Sequence, residues 1–253
     1  VSSYWFPDAT RYIGYNPYRE EDRTIHEFPC YSFILGDLHA HVVNIMFVLL
    51  ILALLYVWLR GVRKKTVSVD VSMKERGFWK EQLLMPHLLV VSVILGMFQW
   101  TNFWDFVIYY TVTLGTVLFA NIIRFQGKIK KIITVTVAQM VEIYLIAYLV
   151  ILPFTLQFDT MVDGVGIAKY HSYFYQLMVL WGLPMVLVIT LIVAILWEKL
   201  RNMEHKSLYR LMKAIGTADL FAILLGICAI GLIVIPELVY VRDIYENGNA
   251  RAN

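Results

Sequence analysis

Long apolar runs alternate with short polar stretches along most of the chain. Six runs stand out, at 39–59, 83–101, 106–124, 132–156, 173–197 and 218–236. Each is close to the ~20 residues that a helix needs to cross a bilayer. The pattern predicts an all-α polytopic membrane protein with about six transmembrane helices. Two stretches between the runs are amphipathic instead. Residues 60–82 carry seven Lys/Arg together with Phe78 and Trp79. Residues 199–215 set Leu200, Met203, Leu208, Leu211 and Met212 near one helical face among basic residues. Both read as interfacial segments. Ahead of the first run lie Tyr4, Trp5, Phe6, Tyr12, Tyr15 and Tyr18, then Arg19-Glu20-Glu21-Asp22-Arg23, a composition suited to the membrane–water boundary. The chain thus divides into an outer segment 1–38, a six-span region 39–236 and a tail 237–253.

Composition agrees with this pattern: 59% of residues are hydrophobic and mean hydropathy is +0.64, beyond the range of soluble domains. The net charge of +3 is small, and its clustering speaks to topology, not to nucleic acid. Sixteen of the 22 basic residues fall in alternate loops: Arg60 to Lys80, Arg124 to Lys131, and Lys199 to Lys213. The positive-inside rule puts those loops inside and both ends of the chain outside. The outer side then collects 12 of the 19 acidic residues, so any surface chemistry is expected there. The two cysteines, Cys30 and Cys228, can form at most one bridge, and nothing in the sequence calls for it. The chain starts without Met and stops in a polar stretch, Arg251-Ala252-Asn253, and reads as an excerpt of a longer protein.

Chemistry-bearing residues concentrate where the first span begins. Within Glu27–His41 stand Glu27, Asp37, His39, His41 and Cys30. Asp37 can cap the helix, its carboxylate facing the positive end of the dipole. It can equally serve a site for an anionic or metal-bound ligand, with His39 and His41 as partners. Imidazole with carboxylate suits a divalent ion such as Zn or Mn, although His-x-His alone is a weak motif. The tight outer turn Gln99–Asp105 holds Asn102, Trp104 and Asp105 at the rim. It reads as a helical hairpin in which Asp105 caps the next span, or as part of a site. Past the last span, Glu237, Arg242 and Asp243 form a surface cluster or a charged pocket. Inside the fourth span, Thr136, Gln139 and Glu142 recur at three-residue spacing and make one polar arc. An ionisable group at that depth is functional by default, unless Glu142 is hydrogen-bonded to a neighbouring helix. Asn44 and Asn121 sit nearer to span ends, Pro86, Pro153 and Pro184 can kink or begin spans, and Ala218, Ala222 and Gly226 suit close helix packing. Walker, Gly-x-Ser-x-Gly and Gly-x-Gly-x-x-Gly motifs are absent, so nucleotide hydrolysis and serine-hydrolase chemistry have no support.

Several of these motifs occur together. Glu27-Phe28-Pro29, Ser32-Phe33, Gly36-Asp37-Leu38-His39-Ala40-His41, Asn102-Phe103-Trp104-Asp105 and Glu237 followed by Tyr240-Val241-Arg242-Asp243 resemble the uncharacterised "YYY" integral membrane family of archaea and bacteria. A proline commonly stands there where this chain has Ala40, and the triple tyrosine of the family's name is missing. The resemblance implies a central fragment of a longer protein. It also implies a GT-C-like layout, similar to membrane glycosyltransferases that use a polyprenyl-phosphate-linked sugar donor and an acid in an outer loop. On that reading Asp37 is the foremost functional carboxylate, with Glu27 and Asp105 next. His39, His41, Arg242, Asn102, Trp104 and Asp243 would contact phosphate or substrate, with Arg251 as a further outer cation. A rival class is a transporter or channel component built on Glu142 and Gln139. A third is a lipid- or partner-binding scaffold without chemistry.

Overall fold

Apolar runs of this length bury their backbone polar groups only by closing helical hydrogen bonds, and helices dominate the computed structural model. It describes residues 10–19, 23–24, 26, 28–64, 73, 76–158, 162–203 and 207–243, with the backbone alone at 76, 162, 163 and 241–243. Glu27, Arg251, Tyr4, Trp5, Phe6, Glu20, Glu21, Asp22, Lys65, Lys74 and Lys206 lie outside the described residues, as do the side chains of Arg76, Arg242 and Asp243. The described elements are α1 (Pro29–Leu35), α2 (Ala40–Lys64), α3 (Arg76–Gln82), α4 (Pro86–Thr101), α5 (Phe103–Arg124), α6 (Ile129–Thr155), β1 (Val162–Ile167), α7 (Phe174–Arg201), α8 (Leu208–Ala214), α9 (Thr217–Leu238) and β2 (Val239–Asp243).

Among the described residues, five helices are long and apolar enough to cross a membrane: α2, α5, α6, α7 and α9. The expected second span is different. α4 has 16 residues, about 24 Å of helix, short of the ~30 Å hydrocarbon core. Pro86 sets its start: the ring has no N–H to donate and holds Met85 extended, at φ −69°, ψ 126°. Leu84 adopts a left-handed φ of 54°, so 83–85 interrupts the helix between α3 and α4. Nor does Phe78 lie on the surface, as an interfacial segment would place it. It is buried against Phe125, beneath the Lys131 ammonium. Farther along, Gly96 meets α6 so closely that a Cβ there would stand 2.7 Å from both the Ala147 carbonyl and Val150 Cβ. The second span is a broken helix laid along α6.

By its contacts the chain forms two compact units, one of residues 1–42, 158–189 and 229–253, the other of 43–157 and 190–228. The larger unit has one core around Ile51, Leu55, Leu95, Val117 and Ile143, and a second around Phe125, Val135, Ile215 and Leu220. Lipid tails are as apolar as these side chains, so close fit and interhelical hydrogen bonds hold such helices together. The close approach of α5 and α9 is at Gly115, where a Cβ would stand 2.3 Å from Leu224 Cδ1. Of the expected small-residue stripe, Ala218 is exposed, Ala222 half-buried and Gly226 buried. Arg63 is more than a basic anchor: its guanidinium donates to the Lys213 and Ile215 carbonyls at 3.1 and 2.8 Å and closes the C-terminal end of α8.

In the smaller unit, the loop Gln157–His171 and the tail pair as antiparallel β1 and β2. Gly164, at φ 131°, accommodates the register shift between Val162 and Gly164. The Tyr240 ring covers Gly166, where a Cβ would stand 2.5 Å from it. Pairing holds this loop and tail on one side, as the alternation of spans requires. α9 also continues through Pro236 to Leu238, two residues past the expected exit.

Candidate functional site

α1 begins at Pro29 and ends at Gly36, whose left-handed φ of 66° lets its N–H return to the Ser32 carbonyl. The Asp37 N–H reaches the same carbonyl at 2.9 Å. The turn fixes the short link Asp37-Leu38-His39 ahead of α2. At the helix start the His39 carbonyl accepts the Val42 N–H at 3.0 Å, so the capping position expected for Asp37 belongs to His39. The Asp37 carboxylate instead meets His39 Nε2 at 2.8 Å, both side chains about half exposed. The His41 ring stacks on His39, centroids 5.5 Å apart. Its chain neighbours Phe33, Ile34, Leu35 and Leu38 are exposed apolar residues.

Elsewhere in the same unit, backbone and aromatic contacts hold the N-terminal segment. The His26 N–H donates to the Thr10 carbonyl at 2.8 Å, and His26 Nε2 accepts the Ile13 N–H at 3.4 Å. Burial holds the His26 imidazole below its ordinary pKa near 6.5. The Arg23 guanidinium lies over the rings of Tyr15 and Tyr18. The Asn16 carbonyl accepts Gln176 Nε2 at 2.8 Å, and Arg19 pairs with the Tyr173 hydroxyl. The Glu237 carboxylate accepts the Ser172 N–H at 2.8 Å, while its carbonyl meets His171 Nδ1. Sequence reasoning grouped Glu237 with Arg242 and Asp243. Its described partners, His171 and Ser172, come from the loop just before α7.

Asp105 belongs to the larger unit. It stands in the first turn of α5, where the positive dipole end favours a carboxylate. Its Oδ2 accepts Asn44 Nδ2 at 2.8 Å and Asn102 Nδ2 at 3.1 Å, and the group is buried, 8% exposed. Asn44, from α2, was not foreseen as its partner. Only the tertiary fold brings together residues 61 apart. Phe103 and Trp104 are exposed and meet edge to face.

The polar arc of α6 is largely engaged. Gln139 Nε2 donates to the Gln82 carbonyl at 2.9 Å, and its Oε1 accepts Asn121 Nδ2 at 2.9 Å. Asn121 Nδ2 also reaches Thr136 Oγ1, and Glu142 Oε1 accepts the Leu84 N–H at 2.7 Å. Glu142 therefore bonds the neighbouring helix break, its structural alternative. Among the described residues no three His, Cys, Asp or Glu side chains converge as a metal site, so His39 and His41 lack that support as ligands.

The model of the family described as "Uncharacterized membrane protein (DUF2298)" matches residues 1–218. The chain belongs to this family. The match takes in Asp37, His39, Asp105 and Glu142 and stops at the start of α9, short of Glu237. Membership of an uncharacterised membrane family is as expected, and with the apolar helices it makes this a multi-pass membrane protein in contact with lipid. No curated protein and no solved structure matches the chain.

Proposed function

We propose that this DUF2298 protein is a membrane glycosyltransferase that uses a polyprenyl-phosphate-linked sugar at the outer face of the membrane. The observation that carries the reading is the Asp37–His39 pair, half exposed at the head of a membrane helix among apolar surface residues. A carboxylate bonded to an imidazole works as one base. The imidazole takes the proton while the carboxylate orients it and stabilises the cation. The acceptor hydroxyl gives its proton to the pair, and its oxygen attacks the anomeric carbon. The bond from that carbon to the phosphate oxygen breaks, and polyprenyl phosphate leaves with the electron pair. The His41 ring, stacked on His39, offers an N–H to that leaving phosphate. The motif resemblance to a family with a GT-C-like layout supports the same chemistry.

The test is sugar transfer by purified protein. Asp37→Asn and His39→Gln should each lower kcat about 10²–10⁴-fold, the usual contribution of a general base, with donor binding retained. Undiminished transfer by both variants overturns the assignment. A transporter or channel component would instead fail on Glu142→Gln, and a scaffold would be indifferent to all three substitutions.

A further inference from the structure

The break in the second span faces a group of buried polar atoms that the fold leaves unanswered. Gln82 ends α3 at 1% exposure, and neither its Oε1 nor its Nε2 has a hydrogen-bond partner. Asn121 Oδ1 and Glu142 Oε2 are likewise buried and without one. These residues are joined through one hub. Gln139 binds the Gln82 carbonyl and Asn121, while Glu142, one turn farther along α6, binds Leu84 of the same break. Buried polar groups are nearly always satisfied, and exceptions point to a missing ligand, ion or water. Membrane proteins use interrupted helices near mid-bilayer in this way, because the end of a half-helix and the side chains facing it coordinate small ions.

The unanswered oxygens are one from the Glu142 carboxylate and two from amide carbonyls, hard ligands that suit a small cation. We propose that the break at 83–85 is a binding site for an alkali cation, with Glu142, Gln82 and Asn121 as its side-chain ligands and Na⁺ as the preferred ion. Arg124 lies one turn from Asn121 with a buried, unpartnered Nη1, and the charge of Glu81 acts on it from α3. That carboxylate offsets the repulsion a cation would meet. The site is independent of the transfer chemistry at Asp37.

The experiment is thermal unfolding of the purified protein in detergent, with NaCl, KCl or choline chloride at equal ionic strength. Na⁺ should raise the midpoint saturably, shifting the unfolding equilibrium about tenfold at ten times its Kd, and K⁺ should do less. Glu142→Gln keeps an acceptor for the Leu84 N–H and should fold in choline, yet its Kd for Na⁺ should rise at least tenfold. Gln82→Met should weaken binding without removing it. Equal shifts in all three salts mean that water alone fills the break, and a full sodium response in Glu142→Gln means that the cation sits elsewhere. Either result overturns the proposal.

Discussion

Asp105 is a buried carboxylate held by the tertiary fold. A buried carboxylate persists only where donors meet it, and here two amides share one oxygen. Asp105→Ala should therefore cost about 1–3 kcal/mol by leaving both amides unanswered, with Asp105→Asn costing less, as read by thermal unfolding in detergent. His26 gives a signed pH dependence. Its folded pKa is lowered by burial, so between that value and the ordinary one the unfolded segment takes up a proton that the folded segment refuses. The N-terminal segment should be fully stable above about pH 6.5 and loosen as pH falls below it. Hydrogen exchange at the Ile13 and His26 amides would show this, and His26→Gln should flatten the response. Asp37 and His39 were legible in the sequence because a helix start needs no such density of polar groups. The partnership of Asn44 with Asp105 was not, because no local pattern encodes a contact across 61 residues.

Helices followed from apolar runs and prolines, and the interruption before α4 follows from Pro86. The depth of that interruption was hidden, since it depends on how α3 and α4 lie along α6. The two close helical glycines, Gly96 and Gly115, separate rigid from yielding neighbours. At Gly96 a Cβ would strike the Ala147 carbonyl, part of the backbone, whereas at Gly115 it would strike the tip of Leu224. A leucine methyl can rotate away and a helical carbonyl cannot. Gly96→Ala should cost about 1–3 kcal/mol, and Gly115→Ala should cost less. Thermal midpoints of the two variants, compared in one detergent, check the order.

Across the whole molecule, the multi-pass character was plain from hydropathy, and the sidedness proposed here rests on the distribution of basic residues. The pairing of β1 with β2 was not visible, because each strand is short and neither carries a strong alternating pattern. The division into two units, which cuts through long helices, leaves no mark in composition either. Sidedness makes its own prediction. With Cys30 and Cys228 replaced by serine, an impermeant maleimide should label Ile167→Cys on intact cells, and Leu208→Cys only after the membrane is opened. Ile167 and Leu208 are both exposed, so access is decided by side alone.

The central claim is that an outer-surface carboxylate acts on a lipid-linked sugar. Its most direct test is release and transfer of sugar from a polyprenyl-phosphate donor by full-length protein in liposomes, comparing the unmodified protein with Asp37→Asn and Glu142→Gln. Turnover that collapses in Asp37→Asn, with donor still bound, and that survives in Glu142→Gln is the predicted result. Absence of donor binding in every form, or turnover indifferent to Asp37, would contradict it.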